Sequence, residues 1–124
     1  MPEAKRILIV DDDLFISDLY SLELQKAGYI VTTASNGELG LSKIQIEKPV
    51  LVLLDVAMPG LDGLQVLEKI RQNPDYAGIK VMLLTNIRDE ETIRNGLSKG
   101  ADGYLLKTSL TPEQVVEEVT KILT

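Results

Sequence analysis

The chain has 124 residues, enough to bury the core of one domain and too few for two. It holds no cysteine and no histidine, which excludes thiolate or imidazole metal sites, a cysteine nucleophile and histidine acid–base catalysis. A net charge of −6, from 19 acidic and 13 basic residues, argues against nucleic acid or an anionic membrane as a direct partner. What remains is carboxylate chemistry and oxygen-ligated cations.

Short apolar runs alternate with helical patterns five times, the signature of βαβ units around a parallel sheet. The first strand spans Ile7 to Val10 and delivers Asp11-Asp12-Asp13. Asp13 reads as the N-cap of a helix that begins at Leu14 and carries a core stripe of Phe15, Leu19 and Leu22. Gly28 closes that helix, and the second strand runs from Tyr29 to Thr33. The third strand, Val50 to Leu54, ends on Asp55, and the turn Val56-Ala57-Met58-Pro59-Gly60-Leu61-Asp62-Gly63 follows at once. Asp62 reads as a turn residue, since Asp-Gly is a frequent turn pair. Leu64, Leu67 and Ile70 stripe the third helix. The fourth strand, Lys80 to Leu84, leads into Thr85 and Asn86; the fourth helix carries Ile93 and Leu97, with Gly96 weakening it by about 1 kcal/mol relative to alanine. Gly100 caps it, the fifth strand spans Gly103 to Leu106, and Lys107 follows. Thr111-Pro112-Glu113-Gln114 combines an N-cap, a first-turn proline and a capping box, opening a last helix striped by Val115, Val119 and Ile122. The expected fold is α/β, a doubly wound sheet in one domain over residues 1–124.

Strands this continuously apolar are covered by helices on both faces. Every polar candidate therefore sits at the same end of its strand: Asp11 and Asp12, Asp55, Thr85 and Asn86, and Lys107. In a parallel sheet those carboxyl ends open onto one crevice, so residues scattered along the chain should converge. Lys80, Lys99, Glu113, Glu117 and Glu118 read as solvated charges, and Asp62 stays outside the site.

Four motifs, Ile7-Leu8-Ile9-Val10-Asp11-Asp12, Leu53-Leu54-Asp55 with the turn through Gly63, Leu83-Leu84-Thr85-Asn86 and Gly100-Ala101-Asp102-Gly103-Tyr104-Leu105-Leu106-Lys107, occur in order and at matching spacing. Together they resemble the response-regulator receiver domain, the phosphoacceptor module of two-component signalling, over essentially the whole chain. The resemblance implies a flavodoxin-like sheet of order 2-1-3-4-5 with five helices. It implies that Asp55 takes a phosphoryl group from a histidine kinase or histidine phosphotransfer protein. It also implies Mg²⁺, with Mn²⁺ as a substitute, held by Asp12, Asp55 and the Ala57 carbonyl, with Asp11 on a metal-bound water or just behind it. Lys107, the Thr85 hydroxyl and the Asn86 backbone N–H would bind phosphoryl oxygens, and Thr85 with Tyr104 would switch the face of the fourth helix, fifth strand and fifth helix toward a protein partner.

Three departures from the family pattern involve four positions. Thr108 stands where a proline is usual after the lysine, so the loop after Lys107 is expected to be built differently. Asn86 replaces a small residue and either narrows access to the phosphoryl group or adds a hydrogen bond to it. Ala57 and Ile87 are apolar and cannot orient an attacking water, which predicts slow self-dephosphorylation. An Mg²⁺-dependent aspartyl phosphatase is the enzyme rival, with Asp11 attacking and Asp13 as acid–base, but no further acidic pair follows the lysine to hold metal. A flavin site fails on the acids themselves, which would repel the cofactor phosphate. A receiver-like binding module that is never phosphorylated would be expected to have lost part of this set. The expectation is a cytoplasmic stand-alone receiver, with no leader or membrane span, monomeric or dimerising on phosphorylation, that acts through protein contacts without touching nucleic acid.

Overall fold

Each apolar run becomes a strand and each helical pattern a crossover between parallel neighbours. The computed structural model describes residues 4–86, 90–107 and 109–124. In chain order the elements are β1 (Arg6–Val10), α1 (Leu14–Lys26), β2 (Ile30–Ala34), α2 (Gly37–Glu47), β3 (Leu51–Asp55) and α3 (Gly63–Gln72). After a 3₁₀ turn at Pro74–Tyr76 come β4 (Lys80–Thr85), α4 (Glu90–Ser98), β5 (Gly103–Leu106) and α5 (Pro112–Leu123). All neighbours pair in parallel, in the order β2-β1-β3-β4-β5, which is the doubly wound sheet expected from the sequence.

Alternation along the strands splits the core into two layers. Leu8, Val10, Val52, Leu54 and Leu83 face α2 and α3, where Ile44, Val66, Leu67 and Ile70 meet them. Ile7, Ile9, Leu53, Leu84 and Leu105 face α1 and α5, against Tyr20, Leu24, Val115 and Val119. β3 lies at the centre with all five residues buried, so truncating Leu53 to alanine would cost about 2–5 kcal/mol.

The caps follow the chemistry of their residues. Asp13 accepts from the Ile16 N–H and starts α1. Thr111 and Gln114 form the expected capping box of α5. Gly28 and Gly100, at φ +98° and +105°, close α1 and α4: Tyr29 N–H reaches the Leu24 carbonyl and Ala101 N–H the Gly96 carbonyl. Asp62 is more than a turn residue. It is the N-cap of α3, in a capping box with Gln65, so a buried helix start explains its place before Gly63.

Two helix faces differ from the sequence reading. In α1, Phe15 and Leu22 are 71% and 51% exposed, while Ser17, Tyr20 and Leu24 are buried. Leu14, Phe15, Ile16, Leu19, Tyr20, Leu22 and Leu24 surround this helix, so apolar spacing alone cannot select the inward face. In α4, Leu97 is exposed, Ile93 is half-buried, and Gly96 is the one buried residue. A Cβ on Gly96 would lie 2.2 Å from Leu83 Cδ1, so this glycine lets α4 lie directly against β4. Lys99 is not simply solvated, since it pairs with Glu68 of α3.

Candidate functional site

The register lines up the strand ends. Val10 pairs with Leu54, Asp55 with Leu84, and Thr85 with Leu106, so Asp11, Asp55, Thr85 and Lys107 emerge at one edge of the sheet. Asp55 continues the face of Leu51 and Leu53, toward α1 and α5; Thr85 continues that of Val81 and Leu83, toward α2 and α3, where Tyr104 also packs. The crevice therefore straddles the sheet edge and receives residues from both layers.

Carboxylate oxygens of Asp11, Asp12 and Asp55 lie within 4.8 Å of one another. Asp11 is fully buried, Asp55 is 3% exposed and Asp12 is exposed, which makes Asp12 the solvent-side member. Asp11 Oδ1 accepts the Asp13 N–H at 2.9 Å, and Asp55 Oδ1 accepts the Ala57 N–H at 3.3 Å. The buried Lys107 ammonium stands 2.8 Å from Asp11 Oδ2 and 3.5 Å from Asp55 Oδ2. The shorter contact is a buried ion pair between Lys107 and Asp11.

Electrostatics record the crowding. Burial and the nearby Asp11 charge push the Asp55 carboxyl up from its ordinary 3.8 to about 7, against the opposing pull of Lys107. Burial pulls the Lys107 ammonium down, but Asp11 and Asp55 more than reverse this and leave its pKa raised. Once Asp55 is ionised, three carboxylates against one ammonium leave two negative charges, all on hard oxygen donors. With three carboxylates converging and only one ammonium against them, this set fits a divalent oxygen-seeking cation.

The loop after Asp55 is folded tightly over it. Gly63 N–H donates to the Val56 carbonyl at 2.9 Å, and a Cβ at Gly63 would fall 2.3 Å from the Asp55 carbonyl oxygen. Only glycine lets α3 start this close to the Asp55 peptide. Thr85 is buried at the end of β4 and accepts the Lys107 N–H on its carbonyl at 2.9 Å; Asn86 and Ala57 are exposed at the rim. Tyr104 is half-buried and borders a groove of about 280 Å³ with Glu90, Ile93 and Arg94. Asp13, the acid–base of the phosphatase alternative, is committed to capping α1. Ile87 and Thr108, on which two of the family departures fall, lie outside the described residues.

One neighbour of the site escaped the sequence reading. Tyr20, 2% exposed on α1, directs its hydroxyl at the Lys107 carbonyl, 3.5 Å away. The misplaced apolar stripe hid it, because the stripe turned the Tyr20 face away from the core.

Comparison with known proteins places these residues in a wider set. Residues 7–120 match the response regulator receiver domain. The chain is 42% identical over 120 residues to the alkaline phosphatase synthesis transcriptional regulatory protein PhoP of Bacillus subtilis, covering 96% of this chain and 48% of PhoP. It thus spans about half the length of such curated relatives. Among solved structures, the chemotaxis protein CheY4 of Vibrio cholerae superposes with a TM-score of 0.91 at 30% identity, covering 97% of this chain and 99% of CheY4. A CheY-like response regulator receiver domain protein of Methanospirillum hungatei superposes with a TM-score of 0.88 at 35% identity, covering 98% and 94%.

Proposed function

The chain belongs to the response-regulator receiver family, a family of phosphoacceptor signalling domains, and on that premise we propose that Asp55 is its phosphoacceptor. The observation that carries the assignment is the buried Asp55 carboxylate, set beside both the Lys107 ammonium and the Asp11–Asp12 pair at the carboxyl edge of the sheet. In the reaction, a carboxylate oxygen of Asp55 attacks phosphorus, the P–N bond to a partner's phosphohistidine breaks, and the leaving imidazole nitrogen takes a proton. The chain has no histidine, so the donor comes from a histidine kinase or a histidine phosphotransfer protein.

Asp11, Asp12, Asp55 and the Ala57 carbonyl would hold Mg²⁺, or Mn²⁺ in its place. Such an ion supplies charge neutralisation where the carboxylate and the phosphoryl oxygens would otherwise repel. Lys107 contributes a fixed positive charge at the same point, and the Thr85 hydroxyl and Asn86 N–H, at the end of β4, supply donors to phosphoryl oxygens. Apolar Ala57 leaves no side chain there to orient water against the acyl phosphate, in keeping with slow loss of the group.

The signal then passes through Thr85 and Tyr104. Both belong to the same sheet face, adjacent strands deliver them as diagonal neighbours, Tyr104 pairing with Leu83 two residues before Thr85, and Tyr104 already borders the groove against α4. Drawing the Thr85 hydroxyl toward a phosphorylated Asp55 opens room for the half-buried Tyr104 ring to turn fully inward, reshaping the α4–β5–α5 surface. We read residues 1–124 as one such domain, cytoplasmic, monomeric or dimerising on phosphorylation, and signalling to a protein target. Its charge of −6 supports a protein partner rather than DNA contact by this domain. Among the described residues no helix is long and apolar enough to cross a membrane.

The test is intact-mass measurement after incubation with phosphoramidate and Mg²⁺. The wild type is expected to gain one phosphoryl group and Asp55→Asn none; an unmodified wild type, or a modified Asp55→Asn, refutes the assignment.

A further inference from the structure

We propose that Tyr20 is a positioning residue for Lys107: its buried hydroxyl holds the Lys107 carbonyl and, through it, the aim of the ammonium at Asp11 and Asp55. The catalytic part of this inference rests on Asp55 being the phosphoacceptor; the positioning part stands on the unphosphorylated structure alone.

Lys107 leaves β5 just where the sheet ladder ends, and its backbone is held on two sides. Its N–H donates to the Thr85 carbonyl of β4 at 2.9 Å, and its carbonyl accepts the Tyr20 hydroxyl of α1 at 3.5 Å. The next residue, Thr108, has no ring to fix its backbone, so an anchor on the Lys107 carbonyl restricts where the side chain can start.

Core packing does not explain the hydroxyl. Tyr20 sits in the α1–α5 layer with Ile7, Ile9, Leu24 and Val115, where a phenylalanine ring would bury as well. A phenol carried into this interior needs a polar partner, and the partner it meets is the Lys107 carbonyl. Burial foremost, with Asp11 and Asp13 adding to it and Lys107 opposing, raises the Tyr20 pKa, so the hydroxyl keeps its proton and remains a donor.

α1 thereby touches both members of the central ion pair. At its start, the N–H of the capping residue Asp13 donates to Asp11 Oδ1; two turns on, about 10 Å along the axis, Tyr20 meets the Lys107 carbonyl. A single rigid helix spaces the acid and the cation of a contact that is 2.8 Å long. Small displacements of a charged group at a phosphoryl-transfer site are costly to rate, and this strut would limit them.

Two measurements on Tyr20→Phe decide the matter, with Tyr29→Phe as control because its hydroxyl meets Thr120 at the surface. In the unphosphorylated protein, the NMR resonances of the Lys107 Cε and Nζ are expected to shift and broaden in Tyr20→Phe and to stay in place in Tyr29→Phe. In phosphoramidate labelling, Tyr20→Phe is expected to slow the rate about two-fold, the size of a long hydrogen bond at the low end of the net range, and to have no further effect in a Lys107→Ala background. Unmoved Lys107 resonances, or rate effects that multiply in the double variant, overturn the proposal. If the wild type takes up no phosphoryl group, the Asp55 assignment falls, and the Lys107 resonances still decide whether Tyr20 positions the lysine.

Discussion

Replacing Asp55 by asparagine removes a carboxyl that the fold holds at a cost. With its pKa carried from 3.8 to about 7 by burial and Asp11, Asp55 keeps a proton in the folded chain that the unfolded chain has already released. Below pH about 4 both states are protonated and the difference vanishes. From there to about 7 only the folded state holds the proton, so unfolding releases it and stability falls with rising pH by up to about 1.4 kcal/mol per unit. Above 7 the folded state is charged too, and the full penalty, of order 4 kcal/mol, is in place. Asparagine keeps the shape and an oxygen for the Ala57 N–H, but it loses the charge facing Asp11. The variant also gives up the Asp55–Lys107 ion pair and leaves Lys107 with Asp11 alone, which cancels part of the gain, so Asp55→Asn is expected to be more stable than wild type by about 2–3 kcal/mol at pH 8 and nearly equal at pH 4.5. Urea unfolding across this pH range, with divalent cations chelated, measures the difference. A variant less stable than wild type at pH 8, or a gap that does not change with pH, would refute the reasoning.

Lys107→Ala leaves Asp11 and Asp55 facing each other without their cation, and phosphoramidate labelling should slow by about 100-fold; a rate within two-fold of wild type would remove Lys107 from the chemistry. Helix propensity alone says Gly96→Ala should stabilise α4 by about 1 kcal/mol, but the 2.2 Å approach to Leu83 Cδ1 predicts a loss of about 1–3 kcal/mol in urea unfolding. Adding Leu83→Ala should make the Gly96→Ala change nearly neutral, which a double-mutant cycle reads directly. The inward face of α1 is checked by a pair of truncations: Leu24→Ala should cost about 3 kcal/mol and Phe15→Ala less than about 0.5 kcal/mol.

β1, β3, β4 and β5 and the site edge were legible because each of these strands is a continuous apolar run followed by, or ending on, a polar residue. A buried strand cannot carry Asp11, Asp55 or Lys107 any earlier, so the switch in polarity marks both the end of the strand and the start of the crevice. Helix faces were legible only where polar residues occupy the other side, as in α3 and α5. α1 is apolar nearly all round, and its inward face is chosen by what β1, β2 and α5 offer, which local spacing does not contain. The same misreading hid Tyr20. Close approaches are silent for a related reason: Gly63 and Gly96 are required by atoms of Asp55 and Leu83, far from each glycine along the chain. The capping role of Asp62 was recoverable from the Asp62-to-Gln65 spacing, but the Asp-Gly pair beside it suggested an ordinary turn.

The most direct test of the central claim is reductive trapping of the acyl phosphate. After incubation with phosphoramidate and Mg²⁺, borohydride treatment and peptide mass analysis should find homoserine in place of aspartate at position 55, and only where Mg²⁺ was present. Homoserine at position 11 would point to the phosphatase chemistry instead, and an intact aspartate at position 55 in fully treated protein would contradict the account.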